Sequence, residues 1–104
     1  MKIDFSAVIK DLDGDPVKDG EKDATLGRVA CTALLATYAD EQNLPAEDKV
    51  RRFRVAEVAA KGGAQELPVE DVALLKSLIG KMFAPLIVGR AYDIIEPAAA
   101  RPQA

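Results

Sequence analysis

The residues from Val69 to Glu96 constrain the fold more than any other stretch. They form the densest apolar run in the chain, and Ala84-Pro85 breaks it once. At helical spacing Val69, Val72, Ala73, Leu75, Ile79 and Met82 share one stripe, widened by Leu74, Leu78 and Phe83. Glu70 and Asp71 in the first turn and Lys81 in the last complement the helix dipole. Pro68 suits the first helical position, where its missing N–H would be unpaired anyway. Pro85 cannot continue this helix, because it lacks a donor and its ring crowds the preceding turn, but it can begin another. The expected buried side of that second helix is Leu86, Ile87, Ala91, Tyr92, Ile94 and Ile95, with Arg90, Asp93 and Glu96 outward and Pro97 at its end. Gly80 and Gly89 each cost about 1 kcal/mol relative to Ala inside a helix, so their expected role is close approach of two backbones.

Two such helices need a surface to pack against, and the preceding residues supply it. In KIDFSAVI, Ile3, Phe5, Ala7 and Ile9 alternate with polar side chains, the pattern of a half-buried strand. Asp13-Gly14 and Asp15-Pro16 signal a turn, Val17 starts a short return strand, and Asp19-Gly20 marks a second turn. A helix is expected from Thr25, its N-cap, to Tyr38, burying Leu26, Val29, Ala30, Ala33, Leu34 and Thr37. Arg28 stands where a capping box would place an acid. A third helix opens at Pro45, carries Glu47 and Asp48 in its first turn and stops at Lys61-Gly62-Gly63, with Val50, Phe53, Val58 and the neighbouring alanines expected on its apolar face. Ala64 to Leu67 can add an edge strand to the N-terminal hairpin. The expected architecture is one α+β domain over residues 1–97. It is predominantly helical, with about four helices, an N-terminal β-hairpin and room for a third short strand. Residues 98–104 are expected to be a frayed tail.

Composition excludes more than it identifies. A chain of 104 residues is near the length at which one core suffices without staples. A net charge of −3 provides no overall field toward nucleic acid or an anionic membrane, so neither is an expected partner. No apolar run approaches the ~20 residues of a membrane span. The lone Cys31 cannot form an internal disulfide. With no charged-then-apolar leader, the expected location is the cytoplasm. Cys31 itself reads as a small buried hydrophobe. Histidine is absent, which removes the usual general base, the commonest zinc ligand and any His-activated nucleophile. The chain is therefore read as a non-enzyme without a cofactor.

Two clusters still require weighing. Asp11, Asp13 and Asp15 match the first half of a calcium loop, but Pro16 stands where glycine belongs and Lys22 where a bidentate Glu belongs. Aspartates in a turn are usually turn formers. Lys49, Arg51, Arg52 and Arg54 form a basic cluster that reads either as a solvated face, ion-paired with Glu47, Asp48 and Glu57, or as a docking patch for an acidic partner or an anion.

DLDGDPV, the Thr25-Leu26-Gly27 helix start, EDKVRRF and above all ALLKSLIGKMFAPLIVGRAYDIIE resemble short proteins encoded in phages and prophages, over nearly the whole chain apart from the tail. The chain departs from the pattern at Arg28, where an acid is expected, and at Pro45 and Pro68, where a Ser or Thr cap is expected. The resemblance implies a mobile-element origin and no catalytic residues. The leading functional expectation is a non-catalytic module that binds another protein or itself, since four wide apolar stripes exceed what one small core covers. The alternatives are a protein that binds or sequesters a small anion such as a nucleotide, and a phage assembly or structural accessory protein. An enzyme built on carboxylates, with a metal at Asp11, Asp13 and Asp15, ranks last.

Overall fold

Ile3, Phe5 and Ile9 do face inward, each almost wholly buried, but they do not lie on one continuous strand. The structure, a computed structural model, describes residues 1–97, so the expected tail at 98–104 lies outside the described residues. The first strand, β1, spans only Lys2–Asp4. It stops because the Asp4 carboxylate accepts from the Ser6 N–H at 3.0 Å and the Asp4 carbonyl accepts from Ala7, which turns the chain at Phe5-Ser6. Beyond the turn, Ile9 accepts from Val17 N–H and donates to the Ala24 carbonyl, so the expected return past Asp13-Gly14 is present as isolated bridges. Strands β2 (Lys18–Asp19) and β3 (Lys22–Asp23) pair around Gly20, whose φ of 69° a side chain would disfavour.

Thr25 caps helix α1, Leu26–Leu35, its hydroxyl accepting from the Arg28 N–H at 3.3 Å. The helix ends three residues before Tyr38. The Tyr38 hydroxyl folds back and donates to the Ala33 carbonyl at 2.7 Å, satisfying one of the acceptors that a continued helix would have paired. Helix α2, Ala46–Ala60, follows Pro45 at the N-cap position. Strand β4, Ala64–Glu66, then pairs antiparallel with β1, Ile3 opposite Gln65, as the expected edge strand. Helix α3, Val69–Met82, begins after Pro68, which is the N-cap and not the first helical residue. Helix α4, Pro85–Ile95, has Pro85 in its first turn. Four helices with short antiparallel strands make this an α+β fold, and one cluster of buried side chains draws on every helix together with β1.

The faces of α3 and α4 follow the apolar spacing in part: Val72, Leu75, Leu78, Ile79, Ala91 and Ile95 are buried, and Leu86, Ile87, Tyr92 and Ile94 are half-buried. Val69, Ala73 and Met82 are exposed at the margins. Arg90, expected outward, turns back instead and donates to the carbonyls of Lys10 (3.0 Å) and Asp11 (2.8 Å). Helix α2 departs most. Of its expected face, Val58 packs partly against the core and the neighbouring Ala56 and Ala59 are buried, but Val50 is 52% and Phe53 47% exposed, and the inner face is completed by Arg52 and Val55. Small side chains explain the rotation. Across from them on α1, a Cβ added to Gly27 would sit 2.9 Å from the Ala59 carbonyl oxygen and 3.0 Å from that of Phe5, so α1 and α2 touch nearly backbone to backbone.

The close-approach glycine is thus Gly27. A Cβ at Gly89 would meet nothing within 4 Å, and one at Gly80 would meet the Tyr92 hydroxyl at 3.0 Å. Gly27→Ala is expected to destabilise by about 1–3 kcal/mol because the crowding atoms are backbone. Gly89→Ala, in open space on a helix, is expected to stabilise by about 0.5–1 kcal/mol. Urea unfolding of the two variants beside the parent measures both.

Candidate functional site

The basic cluster is split among three structural tasks. Arg52 lies on the inner face of α2 and is only 8% exposed. Its two terminal nitrogens reach both carboxylate oxygens of Glu41, at 2.8 and 2.7 Å, in the bidentate geometry that suits a guanidinium. Its Nε is buried and has no hydrogen-bond partner among the described residues. Arg51 donates to Asp71 at 2.9 Å and so ties α2 to the first turn of α3. Arg54 pairs with Glu57 at 2.8 Å on the solvent face and lies over the Phe53 ring, 5.5 Å from its centre. Lys49 alone of the four has no carboxylate partner among the described residues. Of the expected ion pairs, the one with Glu57 forms; Arg51 and Arg52 reach Asp71 and Glu41 instead.

Around Arg52 a polar node joins α1, α2, α3 and the connector after α1. Lys81 bonds Asp40 at 2.8 Å, lies 3.7 Å from Glu41 and stands over the Tyr38 ring at 4.9 Å. The hydrogen bond from Arg52 is the main reason the Glu41 carboxyl titrates below its ordinary value, with both cations adding to the effect. Burial pushes the Tyr38 hydroxyl up. Beside the node a groove of about 430 Å³ runs between the end of α1 and the start of α2, lined by Leu34, Leu35, Tyr38, Leu44, Lys49 and Arg52. Leu35 projects into solvent at its edge.

A second cavity, about 460 Å³, lies where α1 meets the end of α2 and contains Ser6, Arg28, Cys31 and Thr32. Its polar groups are engaged: Ser6 accepts from the Gly63 N–H, and Arg28 holds Asp19 at 2.8 Å. The Cys31 thiol is half-buried, donates to the Ala56 carbonyl and has its pKa raised by burial, which keeps it a thiol. In the aspartate turn, the Asp11 carboxylate accepts from the N–H groups of Asp13 and Asp15, so it orders its own loop. Among the described residues no group of three or more His, Cys, Asp or Glu side chains could hold a metal ion, and no helix is long and apolar enough to cross a membrane.

The most distinctive surface is the start of α2. From Ala46 to Arg51 every residue is exposed, and Phe53 and Arg54 follow on the outer side. The exposure comes from unequal helix lengths. Gly27 faces Ala59 and the Cys31 thiol faces Ala56, so the two helices run antiparallel and Leu35, the last residue of α1, falls level with about Arg52. Helix α2 has fifteen residues against ten in α1 and overhangs by more than a turn. Reading the sequence by apolar spacing missed this surface, because it assigned Val50 and Phe53 to the core. The available signal was Ala56 and Ala59 beside Val55, a small-residue face that suits close helix packing. No family model, curated protein or solved structure matches the chain.

Two outcomes test the node. Arg52→Ala is expected to destabilise by roughly 2 kcal/mol, and Arg52→Met, which keeps the apolar stem, by clearly less. The Glu41 carboxyl is depressed in the folded state, so its contribution is complete above the ordinary value of 4.5 and drains away as pH falls below it. Glu41→Gln should therefore flatten the acid limb of a stability-against-pH curve while leaving its shape above pH 6 unchanged.

Proposed function

We propose that the chain is a non-catalytic interaction protein of phage or prophage origin, acting in the cytoplasm by binding another protein or a second copy of itself. The observation that carries this reading is the overhanging start of α2, with Val50 and Phe53 one turn apart on the outer face. Apolar side chains at this spacing on a helix are the anchors of helix-mediated recognition. An exposed Val or Phe standing alone would call for no explanation; two of them on an unsupported helix end make a docking edge. A role as an accessory of particle assembly uses the same edge, with a virion protein as the partner.

A second reading, binding of a small anion such as a nucleotide, is favoured by Lys49 at the rim of the groove beside Arg52. It is the weaker of the two. Arg51, Arg52 and Arg54 already hold carboxylates, and a phosphate would have to displace them.

The two readings separate in one comparison of the parent with a Val50→Glu, Phe53→Ser double variant, whose exposed positions should leave stability within about 0.5 kcal/mol. On the interaction reading, self-association or retention of a phage or host protein is present in the parent and lost in the variant. A panel of nucleotides leaves the melting temperature of both unchanged. A parent that is strictly monomeric, retains no protein and melts higher with a nucleotide would reverse the ranking, since binding to the folded state must raise the melting point.

A further inference from the structure

Helix α2 is charged in a pattern that fits its own copy, and we infer that two chains pair antiparallel along their α2 overhangs about a twofold axis at Val50. This rests on the interaction reading above and names the partner. Val50 points directly away from the buried face of Arg52, Val55, Ala56 and Ala59. Measured around the helix from Val50, Glu47 lies about 60° and Arg54 about 40° to one side, with Phe53 about 60° and Ala46 about 40° to the other. When two helices pack antiparallel, each flank meets the same flank of its partner. With Val50 at the axis, Glu47 of one chain therefore lies level with Arg54 of the other, within about one residue's rise of 1.5 Å, and the twofold repeats the pair. On the opposite flank Phe53 lies over Ala46 of the second copy, large against small. Val50 meets Val50 between them.

Every residue needed is exposed: Ala46, Glu47, Val50, Phe53 and Arg54 all face solvent. The two bodies sit on the outer sides of the pair, because the fully buried residues of each α2 lie opposite Val50, with Val58 packing partly on one flank. Arg54 can turn from its Glu57 partner and the Phe53 ring at little cost, since both ends of that ion pair are exposed and such pairs contribute little. A charged partner of uniform sign would repel one half of this edge, whereas a second copy satisfies both. The surface is one helix wide, smaller than the ~800 Å² per partner of a stable complex, so association is weak and is to be read at protein concentrations up to ~1 mM.

Sedimentation equilibrium with charge-swapped variants provides the test. The parent should rise with concentration toward twice its 11.1 kDa mass. Glu47→Arg alone sets Arg against Arg at both pairs, and Arg54→Glu alone sets Glu against Glu, so each should self-associate about tenfold more weakly or less. An equimolar mixture of the two variants should regain the parent's association. In the mixed pair the arginine introduced into one chain meets the glutamate introduced into the other, and the retained Arg54 meets the retained Glu47. A partial loss of helix stability in either variant could not produce that recovery. With Cys31→Ser as background, Val50→Cys should cross-link to a covalent dimer under mild oxidant, and Leu12→Cys, more exposed than Val50 but in the aspartate turn and off α2, should not. A parent that dimerises while the swapped variants and their mixture behave alike would overturn the twofold and leave self-association standing. A monomeric parent that still retains a protein through Val50 and Phe53 would overturn the second copy as occupant and leave the docking edge. A monomeric parent that retains nothing would remove both.

Discussion

The contact between Gly27 and the carbonyls of Ala59 and Phe5 governs how the rest of the molecule is placed. It sets α1 and α2 nearly in backbone contact, and the Cys31 thiol hydrogen-bonded to the Ala56 carbonyl continues the close fit between them. So short a separation favours small side chains where the helices touch, at Ala56 and Ala59, while Val50 and Phe53 turn outward. It also fixes the axial register, and unequal lengths then leave the start of α2 without support. An internal packing constraint thus produces the most conspicuous external feature of the protein.

Arg52 shows how an ionic side chain can take a core position. Its stem occupies the last place on the inner face of α2 before the overhang, and its guanidinium is neutralised by the fork of bonds to Glu41. Desolvating such a pair offsets much of its attraction, so its main contribution is to geometry, fixing the connector after α1 against α2. Lys81, Asp40 and the Tyr38 ring extend that attachment to the end of α3. Charges close in sequence therefore serve different neighbours: Arg52 turns inward to Glu41, while Arg51 reaches Asp71 and Arg54 reaches Glu57 from the surface.

Legibility in the sequence followed the source of each element's burial. Helices α3 and α4 were readable because large aliphatic residues repeat at helical spacing and Pro85 separates them. The inward alternation of Ile3, Phe5 and Ile9 was readable for the same reason, as was the pairing of residues 64–66 with the start of the chain. The break of the first strand was not, because it depends on a local bond from Ser6 to the Asp4 carboxylate that competes with the ladder. The end of α1 was not, because the residue that terminates it does so through a side chain reaching back. The face of α2 was misread because hydrophobicity ranks Val and Phe above Ala, while this interface selects for small size. Of the four basic residues in the candidate cluster, Arg52 is internal, Arg51 and Arg54 are exposed but hold carboxylates, and Lys49 stays exposed without one among the described residues.

The bonds from Arg90 to the Lys10 and Asp11 carbonyls join residues about eighty positions apart. A chain made from its N-terminus has its aspartate turn available long before the guanidinium that secures it. The turn can shape itself early through Asp11, but it is locked only when the final helix arrives. The aspartate turn therefore gains its last fastening only from the final helix, and a chain cut short before Arg90 would lack those two bonds.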